Sequence, residues 1–209
     1  MASLDAVIED FRFRLTEKLG DPWFNVSTQG VVPVARVAPG QDDLRDSMPI
    51  GYEAVFAALT RLPVRPAECG FLDYGCGKGR ACVVAAALGF RSVTGLELSE
   101  PLAAEARANL ARMRWRRTRR VEILAGDASA RDIPDDIGVI YFFHPFVGEV
   151  LRRAMGRIRA SLARTPRPLH VVYFNNGDFD WELADATWLR KIDQRVVYPT
   201  LTRGIYVSA

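Results

Sequence analysis

Three carboxylates and one glycine turn are the residues of this chain whose types and spacing can do chemistry. Asp73 opens the stretch Asp73-Tyr74-Gly75-Cys76-Gly77-Lys78-Gly79-Arg80, which follows the apolar run at Phe71-Leu72 and leads into the alanine-rich segment Ala81 to Leu88. Glycines at alternate positions strip side chains from the turn and tolerate φ > 0, so a ligand can lie against bare backbone. A helix starting near Arg80 aims its unpaired N–H groups and the positive end of its dipole into the same space. Glu97 ends a second apolar run, 22 residues after Gly75, and Asp127 follows a third. Each acid alone has a plain structural reading. Asp73 can satisfy backbone donors in the turn, Glu97 can be a helix N-terminal charge, and Asp127 a turn residue. Together, in phase with the glycines, they put three carboxylates at the C-terminal ends of three successive strands, the edge at which open α/β sheets bind ligands.

Spacing narrows the ligand. A phosphate-binding Walker loop needs Gly-Lys followed by Ser or Thr, whereas Lys78 is followed by Gly79. The dinucleotide fingerprint needs its third glycine one position later than Gly79. An acid beside the turn suits an ammonium group better than a pyrophosphate, and an acid roughly 20 residues on can accept hydrogen bonds from a ribose diol. The pattern resembles motif I of the class I S-adenosylmethionine-dependent methyltransferases. That resemblance covers residues 50–209 and implies S-adenosyl-L-methionine as cofactor. It would be bound by Asp73, Gly75, Cys76, Gly77 and Gly79 in the turn, by Glu97 and Leu98, by Asp127 and Ala128 facing the adenine, and by Phe143.

In that family the transferable methyl group points to the end of the fourth strand, here Phe143-His144-Pro145-Phe146. Members that methylate planar amines carry Asn or Asp, two prolines and an aromatic at this place. The present chain has His144 where Asn or Asp would stand, and one proline. His144 is the candidate catalytic residue, since an unperturbed pKa near 6.5 suits a general base; its alternative is a histidine that fixes the Pro turn. Pro145, Phe146 and Asn175 are candidate acceptor contacts. The layout Trp23 to Gly30, followed by Tyr52, is similar to small bacterial methyltransferases whose N-terminal segment closes the pocket, which adds Thr28 and Tyr52 to the substrate-binding set.

The elements that position these residues read as an α/β fold. Its Rossmann-like, mostly parallel sheet has seven strands, helices on both faces, a C-terminal antiparallel hairpin and an N-terminal helical cap. Leu4, Val7, Ile8, Phe11 and Leu15 make an amphipathic stripe, and Gly20 with Pro22 is expected to end that helix. Residues 21–49 lack a sustained period, but their apolar weight suggests a cap over the cofactor edge. Helices are expected over Ile50–Leu62, from Ser99 to about Arg114 with Ser99 as N-cap, and over Val147–Leu162. Later strands are expected at Val121–Ala125, Ile137–Phe143, Leu169–Phe174, Trp188–Tyr198 and Leu201–Val207. The last two form a hairpin that separates this sheet from the six parallel strands of a dehydrogenase. Residues 1–49 are thus helix and cap and 50–209 the cofactor-binding core, within one structural domain.

Composition bounds the function. With 209 residues, 49% of them hydrophobic, the chain can bury a full core. It shows neither a membrane-span run nor a secretory N-terminus, and cytoplasmic localisation is expected. Three cysteines clustered in one strand-turn-helix unit read as reduced thiols, and two histidines with no zinc spacing give no metal site. Net charge is +3, too small to imply nucleic acid. Six arginines fall within Arg112–Arg120; they read as a solvated run at a helix C-terminus, though the interleaved Trp115 has a face on which a base can stack. A small-molecule methyl acceptor is the expectation. The alternatives are a protein lysine, as the Lys78-Gly79-Arg80 form of motif I resembles some lysine-modifying relatives, an RNA, or a non-catalytic cofactor-binding module.

Overall fold

The computed structural model describes residues 16–37, 40–175, 183, 186–198 and 201–209. Its strands are β1 (Gly70–Tyr74), β2 (Ser92–Glu97), β3 (Arg120–Ala125), β4 (Ile137–Phe143), β5 (His170–Asn175), β6 (Leu189–Tyr198) and β7 (Leu201–Ser208). The described helices are α1 (16–24), α2 (Val34–Val37), α3 (Tyr52–Thr60), α4 (Arg80–Leu88), α5 (Glu100–Arg112) and α6 (Gly148–Arg164).

The strands form one sheet in the order β3-β2-β1-β4-β5-β7-β6. β1 to β5 run parallel, and β7 pairs antiparallel with both β5 and β6. The central strands carry continuous apolar runs because both faces are covered. On β4, Val139 and Tyr141 face the core shared with α3 and α4, while Ile140 and Phe142 face the core shared with α6. The chain moves outward from β1 to β3 and then crosses back to β4, so the strand order reverses between β1 and β4. A crevice opens at the carboxyl ends of strands on either side of such a reversal.

Local signals end most elements where the sequence places them. Ser99 caps α5 by accepting from Leu102 N–H at 3.4 Å, with Pro101 in the first turn. Gly89, in the left-handed region, closes α4. Several boundaries differ: α3 is Tyr52–Thr60 rather than Ile50–Leu62, and α6 ends at Arg164 rather than Leu162. α1 continues through Gly20 and Pro22 to residue 24, and Gly20 serves another purpose: a Cβ there would lie 2.2 Å from the Tyr52 ring. α5 stops at Arg112, two residues earlier than expected. The predicted stripe from Leu4 to Leu15 and the turn after Asn175 lie outside the described residues, as does the hairpin tip at Pro199-Thr200.

The described residues of the segment after α1, expected as a cap, pack against the chain at the end of β4. They carry α2, an antiparallel bridge between Val32 and Ser47, and another between Leu44 and Phe146. Arg45 N–H donates to Pro145 O at 3.1 Å, and Val147 N–H donates to Asp43 O at 2.8 Å. The cap is therefore fastened to the chain just beyond β4. Among the described residues no helix is long and apolar enough to cross a membrane.

Candidate functional site

The glycine turn is held from below by β2. Gly75 and Cys76 N–H both donate to Leu96 O, at 2.8 and 2.9 Å. Gly77 N–H donates to Glu97 Oε2 at 2.8 Å, and Ser99 N–H donates to Glu97 Oε1 at 3.0 Å. Glu97 thus ties the glycine turn to the start of α5, and burial pushes its carboxyl above the usual range. Backbone N–H groups of Ser99, Gly77 and Leu98 oppose that rise, and a carboxylate with about four acceptor sites keeps capacity for a ligand. Gly75 sits at φ +72 with Pro145 so close that a Cβ would fall 2.4 Å from the proline; both backbone conformation and space require glycine.

A cleft opens above this turn, between the ends of β1 to β4 and the cap. It brings together Asp73, Gly75, Cys76, Gly77, Glu97, Leu98, Asp127, Ala128 and Phe143 of the expected cofactor set, with Pro145, Phe146 and Thr28 of the expected acceptor set. Four expected residues are not in its lining. Gly79 faces α5, where a Cβ would lie 3.2 Å from that of Ala106; its left-handed φ caps α4. The Tyr52 hydroxyl donates to Asp21 Oδ1 at 2.6 Å, behind the cleft wall. Asn175 ends β5. His144 adopts φ +40, a conformation that Asn, Asp and His enter more readily than other side chains. The backbone at the end of β4 therefore gives a conformational reason for His144 where the resembling motif has Asn or Asp.

Asp73 is 3% exposed. Desolvation moves its carboxyl up to about 8, with Glu97 adding to the rise and a hydrogen bond from Cys82 opposing it. Asp127 accepts from the Ser129 hydroxyl at 2.6 Å and from Ser129 N–H at 2.8 Å. Those bonds, with Arg153 nearby, hold it below the usual carboxylate range. It is both the turn residue of the plain reading and a wall of the cleft.

Two buried residues of the cleft escaped sequence reasoning. The first is Arg80. Its guanidinium donates from Nη1 to Glu17 at 2.7 and 2.8 Å and to Ile50 O at 2.9 Å, and from Nε to Thr28 Oγ1 at 2.8 Å. It also stands 4.5 Å from the Tyr52 ring centre, in reach of a cation–π contact. Arg80 thereby locks α1 and the cap to the start of α4. A signal existed, since a cation in the first turn of a helix opposes the dipole. The second is Tyr141, which projects from β4 on the same side as Phe143. Its hydroxyl and Arg80 Nη2 are buried without a hydrogen-bond partner among the described residues.

Unpartnered polar atoms at a cleft wall are what a polar ligand completes. Tyr141→Phe is accordingly expected to hold or raise the unfolding free energy, by about 1 kcal/mol, while weakening ligand binding. Thermal melts with and without S-adenosylhomocysteine and acceptor read the two signs. Lower stability with unchanged binding would show the hydroxyl satisfied within the protein.

Residues 71–165 match the family described as methyltransferase domain. A comparison with curated proteins finds no match. Among solved structures, a TehB-like S-adenosylmethionine-dependent methyltransferase from Corynebacterium glutamicum aligns with TM-score 0.54 at 17% identity, over 78% of this chain and 90% of that one. An RNA methyltransferase from Salinibacter ruber, in complex with S-adenosyl-L-homocysteine, gives 0.56 at 21%, over 77% and 94%. Magnesium protoporphyrin IX methyltransferase from Synechocystis PCC 6803, with bound S-adenosylmethionine, gives 0.53 at 16%, over 76% and 78%. These likenesses are of fold, and the family match lies on the glycine turn and the strands around it. Residues 71–165 thus carry a methyltransferase domain, on the fold that these S-adenosylmethionine- and S-adenosylhomocysteine-binding methyltransferases share.

Proposed function

We propose that the enzyme transfers the methyl group to a small-molecule acceptor enclosed beneath the cap. The observation that carries this reading is the fastening of residues 43–47 to the end of β4. The Leu44–Phe146 bridge and the Arg45 and Val147 backbone bonds roof the place where an acceptor would stand. A roof tied to the acceptor-side strand suits a molecule that fits wholly inside better than a lysine side chain entering on a polypeptide.

The residues fit the cofactor in kind. Glu97 offers carboxylate lone pairs to a ribose diol, Asp127 with Ala128 bounds the adenine end, and Asp73 offers a counter-charge to an ammonium. The bound cofactor supplies an activated methyl on a sulfonium, whose departure leaves a neutral thioether. What remains for the chain is alignment and exclusion of water. Phe143, Pro145 and Phe146 wall the acceptor side, and Leu44 closes it from the cap. His144 stays the candidate base for an acceptor that must lose a proton, its placement beside this wall depending on the same strand end. The three cysteines are free thiols, which suits the reducing cytoplasm in which we place the enzyme.

The test is transfer of labelled methyl groups from S-adenosylmethionine into size-fractionated cell extract. Label is expected in the low-mass fraction; label confined to protein would replace this reading with the lysine one. Glu97→Ala is expected to cost about 1–3 kcal/mol of S-adenosylhomocysteine affinity by calorimetry. Glu97→Gln, which keeps one acceptor oxygen, should fall between. Unchanged affinity in both would remove Glu97 from the cofactor's ribose.

A further inference from the structure

Away from the cleft, the connection after α5 presents a surface that the methyl-transfer site does not use. Arg112, Arg114, Arg116, Arg117, Arg119 and Arg120 are all exposed. Among the described residues Arg120 alone of the six stands within 4.0 Å of an acid, at 3.7 Å from Asp136. Six of the chain's 28 basic residues thus gather in nine positions, five of them with no acid within 4.0 Å among the described residues.

The fold adds to this run something its sequence does not contain. Trp23, from the end of α1, stacks on Trp115 with ring centres 6.2 Å apart and planes at 28°. Both indoles are 64% exposed, so the pair buries its inner faces and offers its outer ones. Trp115 holds φ +65, a conformation that a bulky residue rarely takes.

The connection is also fixed before any partner arrives. Met113 and Thr118 are buried on either side, and the Thr118 hydroxyl donates to Phe90 O at 2.6 Å. Arg114 N–H donates to Phe24 O at 2.9 Å, and Asn25 Nδ2 donates to Arg112 O at 3.0 Å. Little ordering entropy is left to lose on binding.

We propose that the Trp23–Trp115 stack and its surrounding arginines form a docking platform for single-stranded nucleic acid. Exposed indole faces set within a run of exposed arginines match a chain whose bases stack and whose phosphates carry one charge per nucleotide. An acidic protein segment would use the charges and leave the indole faces idle. A membrane surface asks for a broad apolar face, whereas among the described residues of the arginine run the one exposed apolar side chain is Trp115, stacked on Trp23. The platform lies at the C-terminal end of α5, on residues that do not line the cleft; Asn109 joins it to the cleft rim, accepting from Arg112 Nη2 at 2.6 Å and donating to Lys78 O at 2.9 Å, and its proposed role is to tether the enzyme.

The experiment is fluorescence anisotropy of a labelled twelve-residue RNA of mixed sequence, without methyl donor, at a series of salt concentrations. Wild-type protein is expected to bind, with log K falling against log salt at a slope of about −2 to −3.5, as for three to five released phosphate counterions. Trp115→Ala should weaken binding about tenfold with the slope kept, and Arg114→Glu with Arg117→Glu should flatten the slope. S-adenosylhomocysteine affinity, unchanged in every variant, shows that the fold is intact. Three results would overturn the proposal: no binding at 50 mM salt, a Trp115→Ala variant that binds as wild type does, or equal competition by poly-glutamate or phosphatidylserine vesicles.

Discussion

Replacing Arg80 with alanine is expected to lower the unfolding free energy by about 3–5 kcal/mol, the usual cost of removing one partner from a buried ion pair. Arg80 is 4% exposed, and its partner Glu17 has only 24% of its side chain open to solvent. Asp21, whose Oδ1 lies 4.0 Å from Nη2, also accepts from Thr28 and Tyr52 at 2.6 Å. Without the guanidinium, two carboxylates and the Ile50 carbonyl lose their common donor in a place water does not easily reach. Urea unfolding measures the loss. Arg80→Lys restores the charge but not the fork that serves three partners at once, and should recover less than half. A drop under about 1 kcal/mol for Arg80→Ala would mean that apolar packing alone seats α1 on the core.

The second large effect concerns pH. With its carboxyl raised to about 8 by burial, Asp73 is protonated in the free protein at neutral pH. An ammonium group placed beside it favours the carboxylate, so cofactor binding expels a proton. Affinity for S-adenosylhomocysteine should therefore climb with pH from 6 toward 8, at most tenfold per unit. Above about 8 the climb stops, because Asp73 is then ionised in the free protein as well. Calorimetry in two buffers of different ionisation enthalpy detects the released proton, and Asp73→Asn should flatten the profile. Stability of the free protein moves the other way. In the window between the usual carboxylate value and about 8 the folded state binds the proton that the unfolded chain has lost, so stability falls as pH rises. A cofactor affinity level from pH 6 to 8 would show that Asp73 is ionised throughout.

How much of this was legible before the structure depends on whether the signal is local. The strands of the sheet are apolar runs cut off by glycine, acid or proline, and that pattern fixes both their number and their order of appearance. The terminal hairpin was readable because Leu201–Ser208 follows Leu189–Tyr198 too closely for a crossover helix. Gly20 misled because glycine has two uses. Locally it signals a helix stop; in the fold it makes room for Tyr52, 32 positions away. Arg80 and Glu17 are 63 residues apart, and Glu149 with Asp43 are 106 apart; no window along the chain contains either pair. The same holds for Trp23 and Trp115. Acids at strand ends announce a site, while the residues that brace it are chosen by partners the local sequence does not show.

Gly75 and Pro145 touch so closely that no side chain fits between them. The turn proposed to hold the donor and the strand end proposed to face the acceptor are thereby parts of one rigid piece. On that proposal, aim between the two reactants is built into the scaffold, and residues 41–50 of the cap are where a change would alter the acceptor space without disturbing that aim.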